Sequence, residues 1–181
     1  MNARRSLWGV AVAALVIAAP AAAQESVNHV YAGAMLGQSH WRSACPGQAD
    51  CDDEVAGLRV FGGYQISKIF AAEIGFDNLG APANVKATAW ELVGVAAWPL
   101  FNALSVYGKL GIYRGNAEGS GTLLGAKETN YGPTYGIGAL FDIGRNLALR
   151  ADWQAYPSLG GSTLPKMDVN LLSAGALWRF R

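Results

Sequence analysis

Phe70-Ala-Ala-Glu-Ile-Gly-Phe-Asp77 is the segment whose pattern decides the fold. Successive side chains of a β-strand point to opposite faces, so every second residue of this segment shares a face. One face is apolar and consists of Phe70, Ala72, Ile74 and Phe76. The other face carries Ala71, Glu73, Gly75 and Asp77. The segment therefore predicts a strand that separates an apolar environment from a polar one.

Two later segments with the same alternation carry basic residues. Leu104 to Ile112 contains Lys109, and Leu147 to Trp153 contains Arg150 and Asp152. These charges can neutralise one another only if the strands close into a ring. We therefore predict a transmembrane barrel whose narrow lumen holds a salt-bridge network of Glu73, Lys109, Arg150 and Asp152. A structural role is favoured over a gate or a conduction path, because buried charges are costly unless they are paired.

The alternation recurs along the chain and predicts an all-β, eight-stranded antiparallel up-and-down transmembrane β-barrel. The expected strands are 30–39, 58–65, 70–77, 87–98, 104–112, 134–141, 147–153 and 169–180. Their connections alternate between long and short. External loops of outer-membrane barrels are the longer ones. The loops expected to face outward are 41–55, 78–85, 115–130 and 157–165.

A soluble lipocalin also has eight up-and-down strands, but its apolar side faces inward. Two features favour the membrane arrangement. The polar face is rich in glycine, which suits a crowded lumen better than a solvated surface. Aromatic residues of the apolar face collect near the expected strand ends, as an interfacial girdle requires. The predicted girdle consists of Tyr64, Phe70, Trp90, Trp98, Trp153, Trp178 and Phe180.

The N-terminus has the pattern of a secretory signal peptide. Arg4 and Arg5 precede an apolar segment from Leu7 to Ala19, and small residues follow up to Ala23. The apolar segment is too short for a transmembrane anchor. We therefore expect residues 1–23 to be cleaved and residues 24–181 to form the barrel. Loss of the two arginines changes the formal charge from +1 to −1, which argues against a nucleic-acid partner.

Four motifs resemble those of the OmpA-like eight-stranded outer-membrane barrels, in the order of that family. They are Gly62-Gly-Tyr-Gln65, Ala72-Glu-Ile-Gly-Phe-Asp-Asn-Leu-Gly80, Val106-Tyr-Gly-Lys-Leu-Gly111 and Leu171-Leu-Ser-Ala-Gly-Ala-Leu-Trp-Arg-Phe180. The resemblance covers the transmembrane domain of that family only. It implies a lumen crossed by salt bridges, with Glu73, Lys109 and Arg150 at charged positions. Met35, Val95 and Leu140 depart from it, because they are apolar where the best-known member of the family carries lumen charges.

The resemblance implies an outer-membrane location and a set of partners. These are outer-membrane lipid and lipopolysaccharide, the barrel-assembly machinery during insertion, and an unidentified surface ligand; no cofactor is implied, and a monomer is expected. We expect a small non-enzymatic barrel that supports envelope integrity. The rival interpretation is a surface adhesin or host-factor-binding barrel that acts through loops 41–55 and 115–130. A lipid-A-modifying enzyme is a distant third.

Catalysis is disfavoured by the positions of the candidate nucleophile and base. Ser39 and His40 are adjacent in the first predicted strand, so their side chains point to opposite faces and cannot form a hydrogen-bonded pair. The remaining histidine, His29, is expected at the periplasmic end. No catalytic set is therefore predicted.

Cys45 and Cys51 are the two cysteines of the chain and lie in one predicted external loop. In an exported protein this arrangement predicts a disulfide, and a metal site would need further ligands at matching spacing. Beside them lies an acidic cluster of Asp50, Asp52, Asp53 and Glu54. The cluster does not have the glycine-spaced pattern of a calcium-binding loop, so a solvated loop is favoured over a divalent-cation site.

The disulfide can be tested in intact cells with a thiol reagent that does not cross the outer membrane. We expect labelling of neither Cys45 nor Cys51 before reduction and of both after gentle reduction, because the bridge closes only a short external loop. Labelling before reduction would show that Cys45 and Cys51 are free thiols and would contradict the predicted disulfide. No labelling after reduction would place the loop inside the envelope and reverse the predicted topology.

Overall fold

The eight-stranded barrel predicted from the sequence is present in the computed structural model, which describes residues 28–42, 54–81, 85–119, 127–159 and 167–180. The strands are β1 (His29–Arg42), β2 (Glu54–Gln65), β3 (Phe70–Asn78), β4 (Val85–Pro99), β5 (Leu104–Gly119), β6 (Lys127–Asp142), β7 (Leu147–Leu159) and β8 (Met167–Phe180). Each strand pairs antiparallel with the next, and β8 pairs with β1. The closed sheet confirms the predicted fold class. None of the described segments forms a helix long and apolar enough to cross a membrane.

Several predicted features lie outside the described residues. They are the signal peptide 1–23, the cysteine pair Cys45 and Cys51, and three members of the acidic cluster, Asp50, Asp52 and Asp53. The fourth member, Glu54, begins β2 and is exposed, with its carboxylate 3.8 Å from the His40 ring nitrogen Nδ1.

The strands are longer than predicted at the end of the barrel that carries the long connections. β5 continues to Gly119 and β6 begins at Lys127, so most of the predicted loop 115–130 is paired strand and that prediction was wrong. The outward residues there include the polar Asn116 and Thr129. Polar side chains are expected at this height, because this part of the sheet lies beyond the apolar band. At the short-turn end the predicted boundaries agree with the observed ones to within one residue. Loops 41–55, 78–85 and 157–165 each lose a few residues to the strands.

β7 extends to Leu159 through an irregularity between Tyr156 and Leu159. Within it Ser158 has a φ of 58°, a left-handed conformation that is uncommon for a residue with a side chain. Two other strands hold this bulge: the Tyr113 hydroxyl of β5 donates across the lumen to the Pro157 carbonyl at 2.6 Å, and the Ser158 amide donates to Asp168 of the neighbouring β8 at 2.9 Å.

The three short turns share one backbone hydrogen-bond pattern. In each, the first two amides donate to the carbonyl of the residue that opens the next strand: Ile66 and Ser67 to Phe70, Leu100 and Phe101 to Leu104, Ile143 and Gly144 to Leu147. The carbonyl just before that residue accepts from an amide of the next strand in the sheet: Ala97 of β4 donates to Ile69, Asp142 of β6 to Ala103 and Arg179 of β8 to Asn146. Each turn is thereby joined to the strand that follows its hairpin in the sheet, which pairs the backbone at this end of the barrel.

All seven predicted girdle aromatics face outward, with exposed fractions between 36% and 57%. Five lie at the short-turn end: Tyr64, Phe70, Trp98, Trp178 and Phe180. Trp90 and Trp153 lie inside β4 and β7, so the expectation of strand-end positions was wrong for these two. The strands continue past them into water. The eight residue steps from Trp90 to Trp98 span roughly 20 Å of membrane height at a typical strand tilt, close to the ~25 Å apolar band of such barrels.

Candidate functional site

The lumen brings together the four charged residues predicted to form a network. Arg150 donates two parallel hydrogen bonds to Glu73, at 2.6 and 3.1 Å, and the Lys109 ammonium donates to Asp152 at 2.7 Å. Tyr107 joins the two pairs, because its hydroxyl accepts from Arg150 Nε at 2.6 Å and donates to Asp152 at 2.9 Å. Each of the four charged side chains is at most 4% exposed. These residues come from β3, β5 and β7, so the pairs cross the lumen.

The Arg150 guanidinium is also enclosed by aromatic rings. Its Cζ lies 4.5 Å from the ring centroids of Phe61 and Tyr107. The carboxylate partner of Arg150, Glu73, accepts a further hydrogen bond from the Tyr31 hydroxyl at 2.7 Å. Cation–π contacts strengthen when the cation is desolvated, so the rings help to hold this charge inside the barrel.

A second polar cluster lies nearer the long connections and centres on Arg59. Its guanidinium hydrogen-bonds to Glu91 and Gln154 and lies 3.4 Å from Asp77 Oδ1. Gln154 also donates to Glu91, and the Tyr156 hydroxyl donates to Glu91 at 3.1 Å. A 3.7 Å contact between Arg59 Nη2 and Glu73 Oε2 joins the two clusters.

Arg59, Asp77 and Glu91 belong to this network but were not among its predicted members. Their inward direction was available from the alternation, since Asp77 follows Glu73 by four residues and Arg59 lies on the inward face of its strand. Two departures from the family pattern, Met35 and Val95, are buried in the lumen as apolar contacts. The lumen therefore holds more charge than the predicted set of four residues.

Lumen aromatics lie over glycines on the neighbouring strand. The pairs that face each other in register are Tyr31 with Gly63, Phe61 with Gly33, Tyr107 with Gly138, and Tyr113 with Gly132. A Cβ at Gly63 would lie 2.3 Å from the Tyr31 ring, and one at Gly138 would lie 2.4 Å from the Tyr107 ring. The missing side chains thus provide the space that lets the rings lie across the sheet.

The two ends of the lumen differ. At the long-connection end an apolar cluster fills the barrel, with Trp41, Leu79, Tyr113, Tyr156, Leu159, Met167, Val169 and Leu171 each at most 2% exposed. At the short-turn end a cavity of about 50 Å³ reaches Glu73 and Arg150 between apolar walls. Its volume suffices for about three or four water molecules. The polar clusters are therefore sealed from one side and approached by a small vestibule from the other.

The described lumen groups do not form a hydrolytic arrangement. The Ser39 hydroxyl points inward and donates to the Leu79 carbonyl at 2.5 Å, whereas His40 faces outward beside Glu54. The lumen carboxylates are bonded to arginine, lysine, glutamine or tyrosine groups. Within the described ranges, no group of three histidine, cysteine or acidic residues has metal-binding geometry.

The sequence matches the family model for the outer membrane protein beta-barrel domain over residues 9–180. Outer membrane protein A of Klebsiella aerogenes is 26% identical over 194 residues, with 98% of this chain and 55% of the relative covered. The corresponding protein of Shigella dysenteriae is 28% identical over 189 residues, with 94% and 53% covered. The chain therefore spans about half the length of the curated relatives it matches.

Solved structures show the same fold. Neisserial surface protein A has a TM-score of 0.67 at 17% identity, covering 83% of this chain and 97% of that one. The N-terminal β-barrel domain of Pseudomonas aeruginosa OprF has a TM-score of 0.61 at 11% identity, covering 84% and 99%. Ail, the attachment invasion locus protein of Yersinia pestis, in complex with the heparin analogue sucrose octasulfate, has a TM-score of 0.58 at 17% identity, covering 84% and 99%.

Glu73→Gln should lower the free energy of unfolding by about 3 kcal/mol, because it leaves the buried Arg150 charge without its main partner. The matched control is Glu54→Gln on the exposed rim, with an expected effect below about 0.5 kcal/mol. Urea unfolding of the full chain refolded into lipid vesicles measures both. The double variant Glu73→Gln/Arg150→Met should recover part of the loss. Equal effects of the two single variants would contradict a buried network.

Gly63→Ala should destabilise the barrel by about 1–3 kcal/mol, because the new methyl group would overlap the Tyr31 ring that binds Glu73. Gly108→Ala is the control, since a Cβ there meets no other atom within 4 Å. The same unfolding measurement applies. A loss at Gly108 as large as that at Gly63 would show that backbone propensity, and not the ring contact, sets the effect.

Proposed function

The chain belongs to the family of outer membrane protein beta-barrel domains, and we propose that it is a small non-enzymatic barrel that supports the integrity of the outer membrane. Family membership indicates an outer-membrane location. In this proposal the protein works as a filled, stiff cylinder in the membrane, with four external loops at its surface. Lipid and lipopolysaccharide surround it, the barrel-assembly machinery inserts it, and it acts as a monomer.

The packed lumen is the observation that carries the proposal. Polar side chains in the middle of the barrel are paired across its width, and the apolar cluster around Tyr113 and Tyr156 covers them at the long-connection end. The vestibule at the other end stops at Arg150 and Glu73. Such an interior favours a structural role over diffusion of solutes, since eight strands enclose a space that side chains can fill.

The cross-lumen pairs support stiffness in particular. Glu73 and Arg150 join β3 to β7, Arg59 and Glu91 join β2 to β4, and Lys109 joins β5 to β7 through its bond to Asp152. These strands are not neighbours in the sheet, so each pair resists a change in the barrel's cross-section. A distorted barrel would separate buried opposite charges, which costs several kcal/mol per pair.

Surface binding through loops 41–55 and 115–130 is the second candidate. β5 and β6, of 16 residues each, are the longest of the described strands and extend past the level of Trp90, so their ends at Gly119 and Lys127 lie beyond the apolar band. Ail, a barrel of the same fold, was solved with a heparin analogue. A ligand bound at these loops would not enter the lumen, so the lumen would keep its structural role.

A deletion strain complemented with two forms of the chain separates these functions. One form is the full chain, and the other has residues 43–53 and 120–126 replaced by short Gly-Ser linkers. We expect the deletion to increase detergent sensitivity about tenfold or more, and both forms to restore resistance. Unchanged resistance in the deletion strain, with adhesion lost and restored only by the full chain, would replace the integrity role with the adhesin role.

A further inference from the structure

The lipid-facing side of the barrel turns polar at a common level near the long connections. On five strands the last apolar outward residues are Leu36, Phe76, Trp90, Ile112 and Leu172. The next outward residues are Gln38, Asn78, Thr88, Arg114 and Asn170. Arg114 is the charged member of these five. An outward cation at the edge of the apolar band lies at the height of lipid headgroups.

Arg114 lies between two exposed aromatic residues. It pairs in register with Trp90 on β4 and with Tyr131 on β6. Its guanidinium Cζ lies 5.8 Å from the centroid of the Tyr131 ring, which is 68% exposed. No carboxylate in the described parts of the chain forms an ion pair with Arg114. The contact with Tyr131 places the guanidinium beside an aromatic ring and leaves its N–H groups available to a ligand.

A polar row lies directly above this cation. Thr88, Asn116 and Thr129 pair across β4, β5 and β6, and the Thr129 hydroxyl donates to the Asn116 side chain at 2.9 Å. One row further, Lys86 pairs in register with Glu118. The outer face of β4 to β6 therefore presents, in order from the membrane, apolar residues, a cation beside the Tyr131 ring, and hydroxyl and amide groups.

We propose that Arg114, held beside the Tyr131 ring, binds a phosphate of lipid A, the bisphosphorylated glucosamine glycolipid of the outer leaflet. The guanidinium matches the phosphate with two parallel charge-assisted hydrogen bonds. The acyl chains lie along the apolar residues below Arg114, and the sugar faces the row of Thr88, Asn116 and Thr129. The site rests on the proposed function for its orientation, since the long connections must face outward for Arg114 to meet this lipid.

Binding can be measured on the full chain refolded in a neutral detergent, by native mass spectrometry with bisphosphorylated lipid A. Arg114→Ala should weaken binding about five- to tenfold, through loss of a charge-assisted contact that is partly exposed. Arg145→Ala is the matched control, because Arg145 is an exposed arginine on the β6–β7 turn at the opposite end. Tyr131→Leu should weaken binding about two- to threefold, and Tyr131→Phe should have little effect.

Dephosphorylated lipid A and phosphatidylglycerol distinguish the source of the phosphate. We expect dephosphorylated lipid A to bind more weakly and without dependence on Arg114, and phosphatidylglycerol, which has one phosphodiester and no sugar, to bind more weakly than lipid A. The site would be overturned by an equal loss in Arg145→Ala, by equal binding of dephosphorylated lipid A, or by an Arg114-dependent affinity for phosphatidylglycerol as high as that for lipid A.

Folding of each variant is checked by its heat-dependent migration on a detergent gel. If Arg114→Ala does not fold, Arg114→Lys replaces it, with a smaller expected loss of two- to threefold because an ammonium cannot make the two parallel bonds. Failure of the site remains distinct from failure of the proposed function. Binding in detergent requires no cell, whereas detergent sensitivity of the deletion strain requires no lipid A site.

Discussion

Closure of the backbone hydrogen-bond ladder is the constraint on which the rest of this molecule depends. A backbone N–H or C=O left unpaired in hydrocarbon costs several kcal/mol, so a spanning sheet must return to its first strand. Here β8 pairs with β1, and the short turns extend the pairing to their own carbonyls. Eight strands make the ring narrow. Everything inside it must therefore be packed or paired.

The lumen meets this requirement with two kinds of contact. Aromatic rings lie over glycines of the adjacent strand, as Tyr107 lies over Gly138. Charges are paired across the ring, where Arg150 is held by Glu73 and by two aromatic rings. Tyr107 takes part in both, because its ring covers a glycine and its hydroxyl joins Arg150 to Asp152. Packing and ion pairing therefore depend on the same side chains, which ties strand register to charge placement.

The two ends of the barrel face different media and are built differently. The short turns have a repeated backbone pattern and keep the strands close to the membrane surface. At the other end β5 and β6 rise beyond Trp90, and the interior becomes an apolar core around Tyr113 and Leu159. Above the headgroups the outer face is in water and the inner face is the core. In this region the outer face is polar and the interior is apolar, as in a soluble protein. This is the reverse of the arrangement in the membrane portion of the barrel.

The sequence by itself determined the number of strands, their inward residues and the short-turn boundaries, because side-chain alternation is a local property of the extended chain. The alternation alone was enough to predict that the side chains of Glu73 and Lys109 face the lumen. Their partners were decided only by tertiary structure: the register of the closed sheet brings Arg150 to Glu73 and Asp152 to Lys109, and it adds Arg59 to the network. The positions at which the strands end on the long-connection side were also decided only by tertiary structure. Pairing continues past the membrane, whereas the apolar alternation that reveals a strand stops where lipid gives way to water.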